Sequence, residues 1–175
     1  MPVSSISAAV QRVESTFAKK PGLALQSDSP AHAVLAGGLA IEVRHPDGHV
    51  VRTDMPAALG GGGAEVAPGW LLRAGLASCT ATVIAMRAER LGIQLDQLAV
   101  SAHSRSDNRG MLGLDAGVPS GPLELDLRIQ VAAEGVSPET LADLVGWADE
   151  HSPVTDALRR ALQVRVSVNG EPGVA

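Results

Sequence analysis

Apolar residues recur along this chain with two different periods, and the switches between them mark out its elements. In residues 6–18, Val10, Val13 and Phe17 fall at helical spacing, and Pro21-Gly22 stops the run. Residues 31–44 read as strand, with Val34, Leu39, Ile41 and Val43 expected to point inward. His45-Pro46-Asp47-Gly48 supplies a turn, since proline fixes one dihedral and glycine accepts a positive one. Residues 49–53 then read as the returning strand of a hairpin.

The longest helical segment is 68–91, with Pro68 suited to its first turn and Gly92 to its C-terminal cap. Leu72, Leu76, Cys79, Val83 and Met86 form one stripe on it, while five alanines thin the rest and permit close packing. A second strand region, 95–103, runs into a polar loop at 104–110, where His103, Arg105, Asp107 and Arg109 crowd together. Residues 123–131 alternate cleanly, Leu123 to Val131 on one side and Glu124, Asp126, Arg128 and Gln130 on the other. Ser137 caps a helix that reaches about Glu150, and Pro138 sits at its first position. His151-Ser152-Pro153 interrupts it, residues 154–162 form a short helix, and 163–168 close the chain as a strand. No repeat appears and no polar linker is long enough to divide the chain. The pattern predicts one α+β domain over 1–175, in which 1–30 are an N-terminal helix and lead-in.

Composition narrows the classes of function. At 175 residues and 45% hydrophobic the chain can bury a sizeable core. A net charge of −5 carries no basic excess, so nucleic acid is not an expected partner. Aromatic content is 2%, with Phe17, Trp70 and Trp147 and no tyrosine, which leaves little to build a stacking platform. No run is expected to approach the apolar length that spans a bilayer, and no signal-peptide pattern opens the chain. Cytoplasm is the expected compartment, with no membrane association. The five histidines are scattered and HExxH is absent, so neither a metal nor another cofactor is expected.

Cys79 is the single cysteine, which excludes an internal disulfide. Two readings of it stand. It is a small hydrophobe on an apolar helix face, or it is a reactive thiol activated by a cation from elsewhere, for which Arg44, Arg52, Arg73, Arg105 and Arg109 are available. A Cys–His hydrolase has no supporting local motif. The glycines at 60–63 lack the Lys-Ser/Thr continuation of a phosphate loop and read as a flexible approach to the long helix. Trp70, near the start of that helix, and Arg109 are candidate walls of a pocket.

The glycine run, Pro68, the segment Leu71-Leu72-Arg73-Ala74-Gly75-Leu76-Ala77-Ser78-Cys79-Thr80 and the end at Leu91-Gly92-Ile93 resemble the superfamily of osmotically inducible protein C and organic hydroperoxide resistance proteins. Asp107-Asn108-Arg109-Gly110 and Ser152-Pro153-Val154 extend the resemblance, which covers about residues 37–168. The resemblance implies an intertwined homodimer, with curved antiparallel sheets wrapped around long central helices and sites at the subunit interface. It also implies a stress-response redox enzyme in which the cysteine matching Cys79 attacks an organic hydroperoxide. In that family a second cysteine resolves the sulfenic acid, and an arginine and a glutamate activate the thiolate. Arg44 is the best match for the arginine. The glutamate's place is taken by Gly69, with Glu65 a nearby substitute, and the second cysteine's place is taken by Ser152. Resolution would therefore need an external thiol reductant, with His151 and Ser152 as further pocket candidates. The alternative is a non-catalytic dimer that binds a small apolar ligand or is purely structural, with Cys79 a core residue.

Overall fold

The computed structural model describes residues 5–160, 162–169 and 171–172. Helix α1 (Ser5–Lys19) leads through a short 3₁₀ turn into three antiparallel strands, β1 (His32–Gly37), β2 (Ala40–Arg44) and β3 (Val50–Thr53). The stretch 31–44 is thus two strands and not one. Gly37 and Gly38, at φ +142° and +55°, reverse the chain where an L side chain would be strained.

Helix α2 (Pro68–Leu91) has the bounds its sequence signals demand. Gly92 adopts a left-handed conformation, and its N–H donates to the carbonyls of Ala88 and Glu89, closing the last turn. Strands β4 (Gln97–Ser106) and β5 (Pro122–Ala132) form a long antiparallel ribbon, separated by the one-turn helix α3 (Asn108–Met111). Leu98, Val100 and Ala102 lie opposite Val131, Ile129 and Leu127, so one face of the ribbon is apolar. Helix α4 (Pro138–His151) starts at Ser137, whose side chain accepts from the Thr140 N–H. Helix α5 (Pro153–Arg159) follows at once, with Ser152 as its cap.

The core lies where α2 meets α4 over the ribbon. Ile84 and Ala88 from α2 and Leu144 and Ala148 from α4 are fully buried, with Leu98, Val100, Ile129, Leu141 and Val145 packed around them. Each large aliphatic side chain so enclosed contributes about 1.5–3 kcal/mol. The buried stripe of α2 is Leu76, Thr80, Ile84 and Ala88. Of the stripe expected to face inward, only Leu76 is buried, while Leu72 and Met86 are exposed. Val83 packs against the core from the side and Cys79 is half-buried.

Three further expectations are corrected. His103 and Arg105 stand on β4, which runs to Ser106, so the polar loop is shorter than its sequence suggests. Residues 162–166 have no regular structure, and the strands beyond them among the described residues are two residues long, β6 (Ser167–Val168) and β7 (Glu171–Pro172). Finally, α2 is long and apolar enough to cross a membrane by length and composition. Here it packs against β4, α4 and α5 as the spine of the domain.

Candidate functional site

Cys79 sits mid-helix on α2, half-buried. The break between α4 and α5 points at it. Pro153 cannot continue α4, so the chain turns at Ser152, which becomes the α5 cap and is fully buried. The Ser152 hydroxyl donates to Cys79 Sγ at 3.4 Å and accepts from the Thr155 N–H, also at 3.4 Å. One side chain therefore fixes the start of a helix and hydrogen-bonds the sulfur. The hydroxyls of Thr80 and Thr155 are buried close by in sequence and have no hydrogen-bond partner among the described residues.

A second cluster lies two turns along α2. The Arg87 guanidinium stands 4.5 Å over the Trp147 ring, a cation–π contact. The His151 imidazole stacks on Trp147 at 4.0 Å, with its Nδ1 2.7 Å from the Trp147 carbonyl. His151, exposed, is thus held beside Ser152 by a ring stack. The spacing of Trp147 and His151, four apart on one helix, was the available signal for this pair.

The remaining candidates are placed elsewhere. Arg44 is exposed on β2 and pairs with Glu42, which also receives Arg52. Glu65 is exposed in the loop before α2 and makes no ion pair or hydrogen bond among the described residues. Arg109 forks onto Asp107 and reaches Asp115. The Arg109 side-chain hydrogen bond holds the Asp107 carboxyl below its ordinary range, and Asp107 in turn raises Arg109. Among the described residues Cys79 is hydrogen-bonded only by Ser152, and no cation bonds its sulfur. No group of three potential metal ligands is present among them either.

The glycine loop has a structural reason that its sequence did not reveal. Asp54, buried at the end of β3, accepts from the N–H groups of Met55 and Gly62. A Cβ on Gly61 would lie 1.8 Å from the Met55 carbonyl oxygen. The loop folds onto the backbone of its own neighbour, where no side chain fits. It then delivers Trp70 and Arg73 to a cleft at the start of α2.

A three-stranded meander, a long central helix bearing a cysteine, a strand ribbon and a second helix broken by a serine define an OsmC-type α+β protein. The chain belongs to the family of OsmC-like proteins, whose family model matches residues 60–167. Solved structures agree on the fold. An OsmC-like protein from Mycoplasma pneumoniae superposes with a TM-score of 0.66 at 14% identity, over 78% of this chain and 91% of that one. An organic hydroperoxide resistance protein OsmC from Legionella pneumophila gives 0.58 at 24%, over 77% and 91%. One from Elizabethkingia anophelis gives 0.57 at 20%, over 78% and 93%. No curated protein matches the sequence.

Proposed function

We propose that this protein is a one-cysteine, thiol-dependent peroxidase that reduces organic hydroperoxides in the cytoplasm. The observation that carries the reading is the Ser152–Cys79 contact, 3.4 Å on a half-buried helix face, in a chain of the OsmC-like family. The Cys79 thiolate attacks the outer peroxide oxygen of ROOH. An S–O bond forms, the O–O bond breaks, and the alkoxide leaves as ROH after taking a proton. The Ser152 O–H, already directed at sulfur, hydrogen-bonds the anionic sulfur that attacks. Cys79 is left as a sulfenic acid. Ser152 cannot form a disulfide, so an external thiol condenses with the sulfenic acid, releasing water. A second thiol then returns Cys79 and leaves as the small disulfide. The balance is ROOH plus two thiols to ROH, water and one disulfide.

The active form we propose is a homodimer. Leu72 and Met86 on α2 and Val34, Leu35 and Val51 on the β1–β3 sheet are exposed apolar side chains, and a second copy laying its sheet on that helix would bring Arg44 towards the thiol. A second reading is favoured by one observation: among the described residues, Arg44 is held by Glu42 and no cation bonds Cys79. On that reading the protein binds a small apolar ligand without turnover.

The deciding measurement is the rate of Cys79 oxidation by cumene hydroperoxide against hydrogen peroxide, with dimedone trapping and Cys79→Ser as blank. A rate orders of magnitude above a free thiol, and faster with the organic peroxide, is expected of the peroxidase. A free-thiol rate leaves the binding protein.

A further inference from the structure

The seam between α2 and α4 brackets one imidazole. At one end the Arg87 guanidinium stands over Trp147, and at the other the Ser152 hydroxyl reaches Cys79 Sγ. His151 falls between these contacts. It stacks on Trp147 and is joined by one peptide bond to Ser152, so its Cα lies about 3.8 Å from that of the residue bonding the sulfur. The turn of the helices sets its side. Ala142, Val145, Gly146 and Asp149 meet β5, and at about 100° per residue Trp147 and His151 lie roughly opposite them, on the outer side of α4. Cys79 stands about 100° round α2 from Thr80 in the buried stripe. It shares a side of that helix with Arg87, the residue that reaches Trp147. Thiol and imidazole therefore flank one seam on the side turned away from the ribbon.

The ring is also fixed in orientation. Its Nδ1 lies 2.7 Å from the Trp147 carbonyl, and the stack holds the two planes within 10°. A carbonyl only accepts, so Nδ1 carries a hydrogen. That leaves Nε2, which has no hydrogen-bond partner among the described residues, as the nitrogen able to exchange a proton. His45 and His103 are engaged elsewhere, with Asp47 in the β2–β3 turn and with Ser101 on β4. The reaction proposed above needs such a group. Ser152 serves the sulfur, whereas breaking the O–O bond expels an alkoxide, a strongly basic leaving group. Resting on the peroxidase reading, we propose that His151 is a further catalytic residue, the acid that protonates this alkoxide. As the thiolate bonds the outer oxygen and the O–O bond breaks, the Nε2 proton of the imidazolium passes to the inner oxygen, giving ROH. The neutral ring keeps its Nδ1 hydrogen on the Trp147 carbonyl and regains a proton from solvent, to which the thiol released one on ionising. A positioned acid of this kind is worth about 10²–10⁴-fold.

The test compares two oxidants on the full chain. Cumene hydroperoxide expels an alkoxide and needs the proton, while peracetic acid expels a carboxylate and does not. Cys79 oxidation is followed by dimedone trapping and intact mass. His151→Gln is expected to slow the reaction with cumene hydroperoxide at least tenfold and that with peracetic acid less than twofold, and added imidazole should restore part of the loss. Equal slowing with both oxidants overturns the proposal, because His151 then only shapes the helix junction, and so does no slowing with either. In the unsubstituted protein a solvent deuterium isotope effect is expected with cumene hydroperoxide and not with peracetic acid. Equal isotope effects overturn the proposal even if His151→Gln does not fold. Failure of the underlying reading is seen separately, as unsubstituted Cys79 that reacts with cumene hydroperoxide and with peracetic acid no faster than a free thiol; that result overturns both.

Discussion

The two halves of this chain solve the burial problem differently. The C-terminal half closes on itself: α2 and α4 meet through Ile84, Ala88, Leu144 and Ala148, all fully enclosed over the β4–β5 ribbon. The N-terminal sheet has regular pairing from Ile41 opposite Thr53 to Arg44 opposite Val50, but almost no interior. Val34, Leu35 and Val51 are 53%, 69% and 45% exposed. Hydrogen bonding alone does not make a strand stable, because each bond replaces one with water and nets about 1 kcal/mol. In this three-stranded sheet β1 is exposed throughout and β2 only half-buried, an apolar surface of the kind that partners cover. The difference is the physical argument for the homodimer proposed above.

That contrast can be broken at several points. The largest effect is expected in the self-contained half: Ile84→Ala should cost about 2–5 kcal/mol in denaturant unfolding, the usual range for emptying a full core site. An equivalent loss from Val51→Ala would show that the sheet has a core of its own. Val51→Asp should instead separate copies, moving the sedimenting mass from two chains to one while far-ultraviolet dichroism keeps its helical signal. Protein that is already monomeric before the substitution would defeat the dimer.

Smaller effects sharpen the picture of the helix junction. Ser152→Ala and Ser137→Ala each remove a helix cap worth about 1 kcal/mol, so their unfolding losses should be similar. Only Ser152→Ala should also slow peroxide oxidation of Cys79, and Ser152→Cys should form a bridge to Cys79 on oxidation, visible as a loss of two mass units. The smallest effect concerns acid. The folded Asp107 carboxyl titrates below its ordinary value of 3.8 because Arg109 binds the anion. Its contribution is therefore complete above that value and is lost only as pH falls through the depressed one. An NMR titration of the Asp107 carboxyl should show the low midpoint, and Arg109→Gln should return it to normal.

Where a signal is local, the sequence was enough. Pro68 and Gly92 bound α2, Ser137 and Pro138 start α4, and Ser152-Pro153 breaks it, because each acts within a turn of its own position. Burial was less legible. Thr80 counts as polar in any pattern, yet it is fully buried on α2 beside Ile84, and this rotates the buried stripe away from Leu72 and Met86. The alternation at 163–168 predicts a strand, but a strand needs an edge to pair with, and that partner is not encoded in its own residues. The contact of Ser152 with Cys79 spans 73 positions of sequence. The resemblance placed both residues at the site, whereas the hydrogen bond between them required the fold.

The four glycines before α2 bear on how this sequence is free to drift. Gly60 and Gly63 have positive φ, at 85° and 66°, while Gly61 and Gly62 abut the Met55 backbone and the Asp54 carboxylate. Two unrelated constraints, one torsional and one steric, interleave along a single run. A saturation library over this loop should find almost no tolerated replacement, and the few survivors should differ from one position to the next. What looks like low complexity is a stretch where evolution has little room to wander.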